Sequence, residues 1–287
     1  MFNEVHLIGV GLINGSLALD IKRLKLANKI IGIGRNQQRL IKAQSSNIID
    51  SYQLLDEINI SNSDLVVIGV PVSKFREVFS LLNPSLSPKT LVTDVGSTKQ
   101  NIIQDAREVF DKTLPNFVPG HPIAGSEQSG FEYAMEELFK NRKVILTPTK
   151  QTEITAVQKI KKLWQSVGAE VNEMTADKHD AILSATSHLP HMVAYTLVNY
   201  LSGRSDSEEL FRYAAGGFYD FTRIASSDPT MWADICIANK DRLLESIDGF
   251  SECLKALRHS IENQDYEAVY DLLNQAKVMR DENHLKK

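Results

Sequence analysis

Residues 4–16, EVHLIGVGLINGS, carry the reading from which the rest of the fold follows. Residues 4–10 are a short apolar run with β-branched members, the pattern of a buried strand. Gly9-Val10-Gly11-Leu12-Ile13-Asn14-Gly15 then breaks the run, and a helical spacing follows through Leu17, Ile21 and Leu24. Strand, glycine turn and helix in that order are the context a dinucleotide-binding fingerprint requires. Gly9 permits the tight turn, and Gly11 lets the backbone approach a pyrophosphate. The helix then points free N–H groups and the positive end of its dipole at the anion. On this reading Gly9, Gly11, Leu12 and Ile13 bind the cofactor. Asn14 stands where a third glycine belongs, and a helix–strand contact by Gly15 is the expected compensation.

The next strand, residues 29–33, ends at Gly34-Arg35. The fingerprint expects an acidic residue at this point to bind the ribose 2′-hydroxyl of NAD. A glycine followed by a guanidinium suits the 2′-phosphate of NADP instead, so NADP is favoured over NAD, with a solvated surface role as the plainer reading of Arg35. Further strands at 64–70, 90–94 and 143–147 alternate with helical stretches such as 75–82. That alternation gives an α/β fold, a doubly wound and mostly parallel sheet. A helix at 154–167 and a short strand at 170–174 close a dinucleotide-binding domain over residues 1–174.

Ligands of such sheets bind beyond the carboxyl ends of the strands. Three turns meet there: one holding Val70, Pro71 and Ser73, one running Asp94–Lys99, and one ending in PGHPIAG. The last belongs to residues 119–130, PGHPIAGSEQSG. It is too rich in Gly, Pro and Ser for a helix or central strand, and reads as a functional loop around His121.

From Thr175 the strand signals stop, and residues 175–287 read as all-α. Residues 177–201 form a helix, which Pro190 kinks because it cannot bond to the carbonyl of Thr186. His188 and His191 lie on one face of it, without the third-ligand spacing of a metal site. Gly216-Gly217 interrupts the helices. Asp228 then caps a new one with Pro229 at its first position. Its apolar spacing runs from Trp232 through Ile235, Leu243, Ile247, Phe250 and Leu254 to Leu257, which predicts one long helix buried against a second subunit, with burial wholly within one chain as the plainer alternative.

The bulk numbers exclude several classes. Of the 287 residues, 43% are apolar, so a sizeable core is within reach. With 32 basic and 36 acidic residues the net charge is −4, which argues against a nucleic-acid binder. No apolar run has transmembrane length, and the N-terminus lacks the basic region of a signal peptide. Cys236 and Cys253 match no disulfide or zinc spacing, so a reduced, cytoplasmic setting is expected.

Taken together, GVGLINGSLA (9–18), DVGSTK (94–99), GHPIAGSEQSG (120–130), ATSHLPHMVA (185–194) and GGFYDFTRIASSDPTMW (216–232) resemble the prephenate and arogenate dehydrogenase family of tyrosine biosynthesis. The resemblance implies a Rossmann-type domain followed by a helical dimerisation domain, hence a homodimer. It implies an enzyme that oxidises a cyclohexadienol with NAD or NADP while the ring loses its carboxylate as carbon dioxide. On the same resemblance, His121 is the catalytic histidine, and Ser97 orients it and touches the ring hydroxyl. Arg223 binds a substrate carboxylate, His188 and His191 line the pocket, and Ser126, Glu127 and Gly217 are pocket positions. Glu127 reads equally as the cap of a helix beginning near Gly130, and Trp232 equally as a pocket wall or helix core. With the chain ending at Lys287, a stand-alone dehydrogenase is expected.

Two rivals share parts of this pattern. A β-hydroxyacid or imine reductase of the same plan would use a lysine near the domain junction, where Lys178 stands without a matching motif. A non-catalytic NADP-sensing regulator would bind cofactor but need no His121, Ser97 and Arg223 set.

Overall fold

The computed structural model describes residues 2–110, 114–125 and 127–284, in two compact units that divide between residues 240 and 241. The first unit opens with β1 (Phe2–Ile8), α1 (Leu12–Arg23), β2 (Ala27–Gly34), α2 (Gln37–Ser45), β3 (Ser51–Leu54) and β4 (Leu65–Ile68). It continues with α3 (Phe75–Leu82), β5 (Leu91–Asp94), α4 (Gln100–Phe110) and β6 (Phe117–Val118). The six strands pair in parallel in the order β3-β2-β1-β4-β5-β6. Strand residues alternate between two apolar layers. Val5, Leu7, Leu65 and Val67 face one core with Leu17, Ile21 and Trp164. Ile8, Val66 and Ile68 face the other with Phe75 and Phe79. A sheet covered on both sides needs near-continuous apolar strands, which is why the short runs at 4–10 and 64–70 stand out in the sequence.

The turn after β1 takes the shape the glycines allow. Gly9 has φ +79°, and a Cβ there would lie 2.4 Å from the Gly69 carbonyl oxygen. Asn14 rather than Gly15 supplies the contact to the strands. Its buried amide donates to the carbonyls of Ile8 and Gly9 at 3.1 Å and of Val67 at 3.4 Å. Gly15 packs instead against Ala134, where a Cβ would meet the Ala134 methyl at 2.9 Å. The expected helix–strand role of Gly15 therefore belongs to Asn14.

The stretch at 120–122 is strand, not loop. Here β7 (Gly120–Pro122) pairs antiparallel with β8 (Lys143–Leu146), and β8 pairs parallel with β9 (Glu170–Glu173). Residues 143–147 thus belong to a second, three-stranded sheet rather than to the main one. The pairing wins because Pro122 ends the strand, where its missing N–H costs no ladder bond. Between β8 and β9 runs α5 (Ile154–Ser166).

After α6 (Ala176–Leu183) the hydrogen-bond spacing of the helical run changes ahead of Pro190. A π-helical turn at Ser184–His188 absorbs the missing bond, with the N–H of Leu189 reaching the Ser184 carbonyl before α7 (Leu189–Ser202). The glycine pair opens a helix instead of separating two: α8 (Ser207–Arg212) precedes α9 (Gly216–Thr222). The long helix expected from Asp228 ends early. Asp228 caps α10 (Pro229–Ala238) by accepting from the N–H of Thr230, and Asn239 leaves helical geometry at φ −110° and ψ 31°. The Asn239 amide is drawn inward to the Asp180 carbonyl at 2.9 Å. Trp232 and Ile235 of α10 join the Phe75 and Phe79 core, so α10 rests directly on the main sheet's layer. The second unit holds most of α11 (Lys240–Glu262) and all of α12 (Tyr266–His284).

Candidate active site

A cavity of about 730 Å³ opens at the carboxyl ends of β1, β4 and β5, within the first unit. Gly9, Gly11, Leu12 and Ile13 form its floor at the N-terminus of α1. Nothing lies within 4 Å of a Cβ placed on Gly11, so the glycine leaves open the space a diphosphate would enter. The first turn of α1 carries no acidic side chain to oppose an anion. These residues fit a dinucleotide. Val70 and Pro71 form the neighbouring wall, and Ser97 and His121 stand further along it. Glu127, His191, Arg223 and Trp232 complete its lining.

Four expected positions fall elsewhere. His188 is buried behind Trp232, ring centroids 6.0 Å apart, with Nδ1 bonded to the Asn239 amide at 3.2 Å. The π turn rotates it off the face it was expected to share with His191. Ser73 donates to Asp234 at 2.6 Å, joining the β4 turn to α10 rather than facing the cavity. Gly217 is exposed in the first turn of α9, away from the cavity wall. Arg35 is exposed just past β2, also outside that wall. Ser126 lies outside the described residues. Trp232 serves both of its expected roles: it is buried in the core and its face meets the cavity. Glu127 caps no helix, since Gly130 opens only a single 3₁₀ turn without a side-chain cap. Lys178 is exposed and does not line the cavity.

His121 is half-buried on β7 and its Nδ1 lies 2.9 Å from Nε2 of His179. Nδ1 of His179 in turn lies 2.7 Å from Asp180 Oδ1. Both oxygens of Asp180 also cap α4, accepting from the N–H groups of Lys99 and Gln100 at 2.9 Å. The side chain within hydrogen-bond reach of His121 Nδ1 is therefore that of His179. An adjacent His-Asp pair in a helix carries no motif of its own, so nothing in the sequence marks His179 and Asp180. Burial first, then His179 and Lys99 nearby, hold His121 well below the ordinary imidazole pKa. Burial likewise lowers His179, and lowers His188 to about 4. Lys99 and Asp94 are buried in contact, and Lys99 Nζ also donates to the carbonyl of Gly120 at 2.7 Å. Asp94 Oδ1 accepts from the N–H of Gly120 at 3.0 Å.

Across the cavity, His191 stacks on Trp232 with ring centroids 3.7 Å apart. Its Nδ1 donates to the Ser187 carbonyl at 2.8 Å, which leaves Nε2 to the cavity side. Arg223 Nη1 pairs with Glu127 at 2.9 Å. Both side chains are well exposed, and such a pair contributes at most about 1 kcal/mol. A substrate carboxylate in a bidentate grip can displace it.

A parallel sheet with a diphosphate-binding turn, a neutral imidazole beside it and a guanidinium opposite defines a nicotinamide-dependent dehydrogenase. The chain belongs to the prephenate dehydrogenase family: the description "prephenate dehydrogenase, nucleotide-binding domain" matches residues 17–173, and "prephenate dehydrogenase, dimerization domain" matches residues 175–275. Among similar proteins, prephenate dehydrogenase of Bacillus subtilis is 38% identical over 289 residues, covering 98% of this chain and 76% of its own. Cyclohexadienyl dehydrogenase of Zymomonas mobilis is 34% identical, covering 98% of this chain and 96% of its own. The crystal structure of prephenate dehydrogenase from A. aeolicus, in complex with hydroxyphenyl propionate and NAD+, superposes with a TM-score of 0.91 at 38% identity, over 98% of both chains.

On the reading of His121 as the proton acceptor, activity rises with pH through its pKa and is level above it. The acid limb of kcat/KM is expected below pH 6.5, the ordinary imidazole value. A limb at about pH 7 or above in a pH–rate profile would contradict the lowered pKa.

Proposed function

We propose that this protein oxidatively decarboxylates a cyclohexadienol carboxylate, prephenate or its amino counterpart arogenate, in tyrosine biosynthesis. The observation that carries the reading is the neutral, oriented His121 set between the diphosphate-binding turn and Arg223. A bound nicotinamide dinucleotide supplies the hydride acceptor. Arg223 grips a substrate carboxylate and turns the ring toward that acceptor, with Glu127 beside it. Gly217 belongs to a surface that completes the pocket only in a dimer. His191 and Trp232 wall the ring, and Ser97 and His121 receive its hydroxyl. His121 accepts the hydroxyl's hydrogen bond and draws its proton as hydride leaves the same carbon. The carbon–carboxylate bond then breaks, its electron pair completes the aromatic ring, and the proton returns to the phenol oxygen as carbon dioxide departs.

Replacing His121 by Asn keeps substrate binding and lowers turnover about a hundredfold or more, the scale of general-base catalysis. Arg223→Ala mainly raises the Michaelis constant for the ring substrate. Steady-state kinetics on both variants check this, and unchanged turnover in His121→Asn would remove the assigned base.

The cofactor is NADP in preference to NAD. Gly34-Arg35 puts no carboxylate at the end of β2, and Arg35 sits next to Asn36, which caps α2. Arg35 is ion-paired with no carboxylate among the described residues, leaving it for a 2′-phosphate. A Cβ at Gly34 would meet Leu40 at an ordinary 3.5 Å, so a larger residue fits there. Gly34→Asp is expected to shift the ratio of kcat/KM values toward NAD by about tenfold or more. An unchanged ratio would place cofactor choice elsewhere.

Residues 1–174 hold the cofactor, and residues 175–287 supply substrate contacts and a homodimer interface. Exposed Tyr213, Tyr219 and Ile237, and in the second unit Leu254, Ile261 and Leu273, are the apolar surface such an interface needs. The free thiols of Cys236 and Cys253 suit the reducing cytoplasm.

A further inference from the structure

We propose that Asp180, acting through His179, sets the tautomer of His121, so that Nε2 is the bare, proton-accepting nitrogen turned to the cavity. The inference rests on His121 acting as the base. It follows from counting donors along one chain of hydrogen bonds. Backbone N–H groups can only donate, and two of them, from Lys99 and Gln100, end on the two oxygens of Asp180. Both oxygens are therefore acceptors. Nδ1 of His179, 2.7 Å from Oδ1, must carry the proton of that bond. A neutral imidazole has one N–H, so Nε2 of His179 is an acceptor. Burial, which lowers the His179 pKa, keeps the ring neutral.

The next bond is then fixed. Nδ1 of His121, 2.9 Å from that Nε2, must donate. Its own single proton is spent there, and Nε2 is left with a lone pair. His121 lines the cavity, and Nε2 is the ring nitrogen not tied to His179. Had His179 been absent, the two tautomers would compete, and the form with Nε2–H would be useless as a base. The same chain serves after proton transfer. The imidazolium keeps its Nδ1–H on His179, whose ring is polarised by the carboxylate beyond it. His179 and Asp180 are thus positioning residues that never touch the substrate.

This arrangement ties the base to the scaffold as well. Asp180 caps α4, directly after the DVGSTK turn that carries Ser97. Asn239, at the end of α10, holds the Asp180 carbonyl at 2.9 Å. A shift of α6 would therefore be felt at both the serine turn and the imidazole.

The test reads the nitrogens directly. Histidine-labelled protein is examined by long-range ¹H–¹⁵N NMR at about pH 7.5, where the imidazoles are neutral. The His121 signals are identified by their loss in His121→Asn. Expected are a protonated Nδ1 and a bare Nε2 on His121; a protonated Nε2 overturns the inference. His179→Phe keeps the ring volume and leaves the Asp180 cap on α4 in place. It is expected to lower kcat by about tenfold or more, part of the general-base contribution, while KM for both substrates stays within about twofold. Wild-type kcat in His179→Phe also overturns it. If the protein turns over neither prephenate nor arogenate, the functional reading falls, and the nitrogen shifts still decide the tautomer.

Discussion

Lys99 and Asp94 are buried together at the carboxyl end of β5, and most of the site hangs from them. Asp94 Oδ2 takes the N–H of Gly96 at 2.8 Å and Oδ1 takes that of Gly120 at 3.0 Å. Lys99 Nζ closes the ring by donating to the carbonyl of Gly120. One ion pair thus fixes the turn that presents Ser97 and the strand that presents His121. Burial works against both charges, lowering Lys99 and raising Asp94, while their contact and the backbone bonds oppose it. Two charges taken out of water persist where such bonds surround them, and removing one partner typically costs about 3–5 kcal/mol. The placement of this pair is better explained by the geometry it imposes on the turn that carries Ser97 and the strand that carries His121 than by any stability it adds.

Around that point the site is built from parts of very different rigidity. His121, at the cavity wall, is held by buried His179, which is itself held by buried Asp180. Arg223 is tied only by an exposed pair to Glu127. The contrast suits the chemistry proposed for each. A base must be kept to within a fraction of an ångström and in one tautomer, whereas a carboxylate clamp has to let substrate in and product out.

The sheet was legible because both of its faces are buried, which turns each strand into an apolar run, and because Gly9 and Gly11 mark the bend after the first. The cavity floor, and the cavity-lining His121, Arg223, Ser97 and Trp232, could be named from motifs. What stayed hidden depends on contacts distant in sequence. Residues 120–122 look like loop until β8 pairs with them, 22 or more residues on. Asn239 looks like a polar position in a long helix until Asp180 draws its amide inward. His188 and His191 share a face in an ideal helix, and the π turn separates them. His179 was invisible because nothing in one sequence distinguishes a buried histidine that packs from one that holds a catalytic ring.

The work proposed for this cavity is to couple hydride transfer to loss of a ring carboxylate. The most direct measurement is reduced-nicotinamide formation by the purified protein with prephenate or arogenate, each with NAD or NADP. The account predicts turnover of at least one acid, with carbon dioxide released in equal amount and with NADP preferred. Binding of the dinucleotide without turnover of either acid would contradict it and leave a protein that holds the cofactor for another purpose.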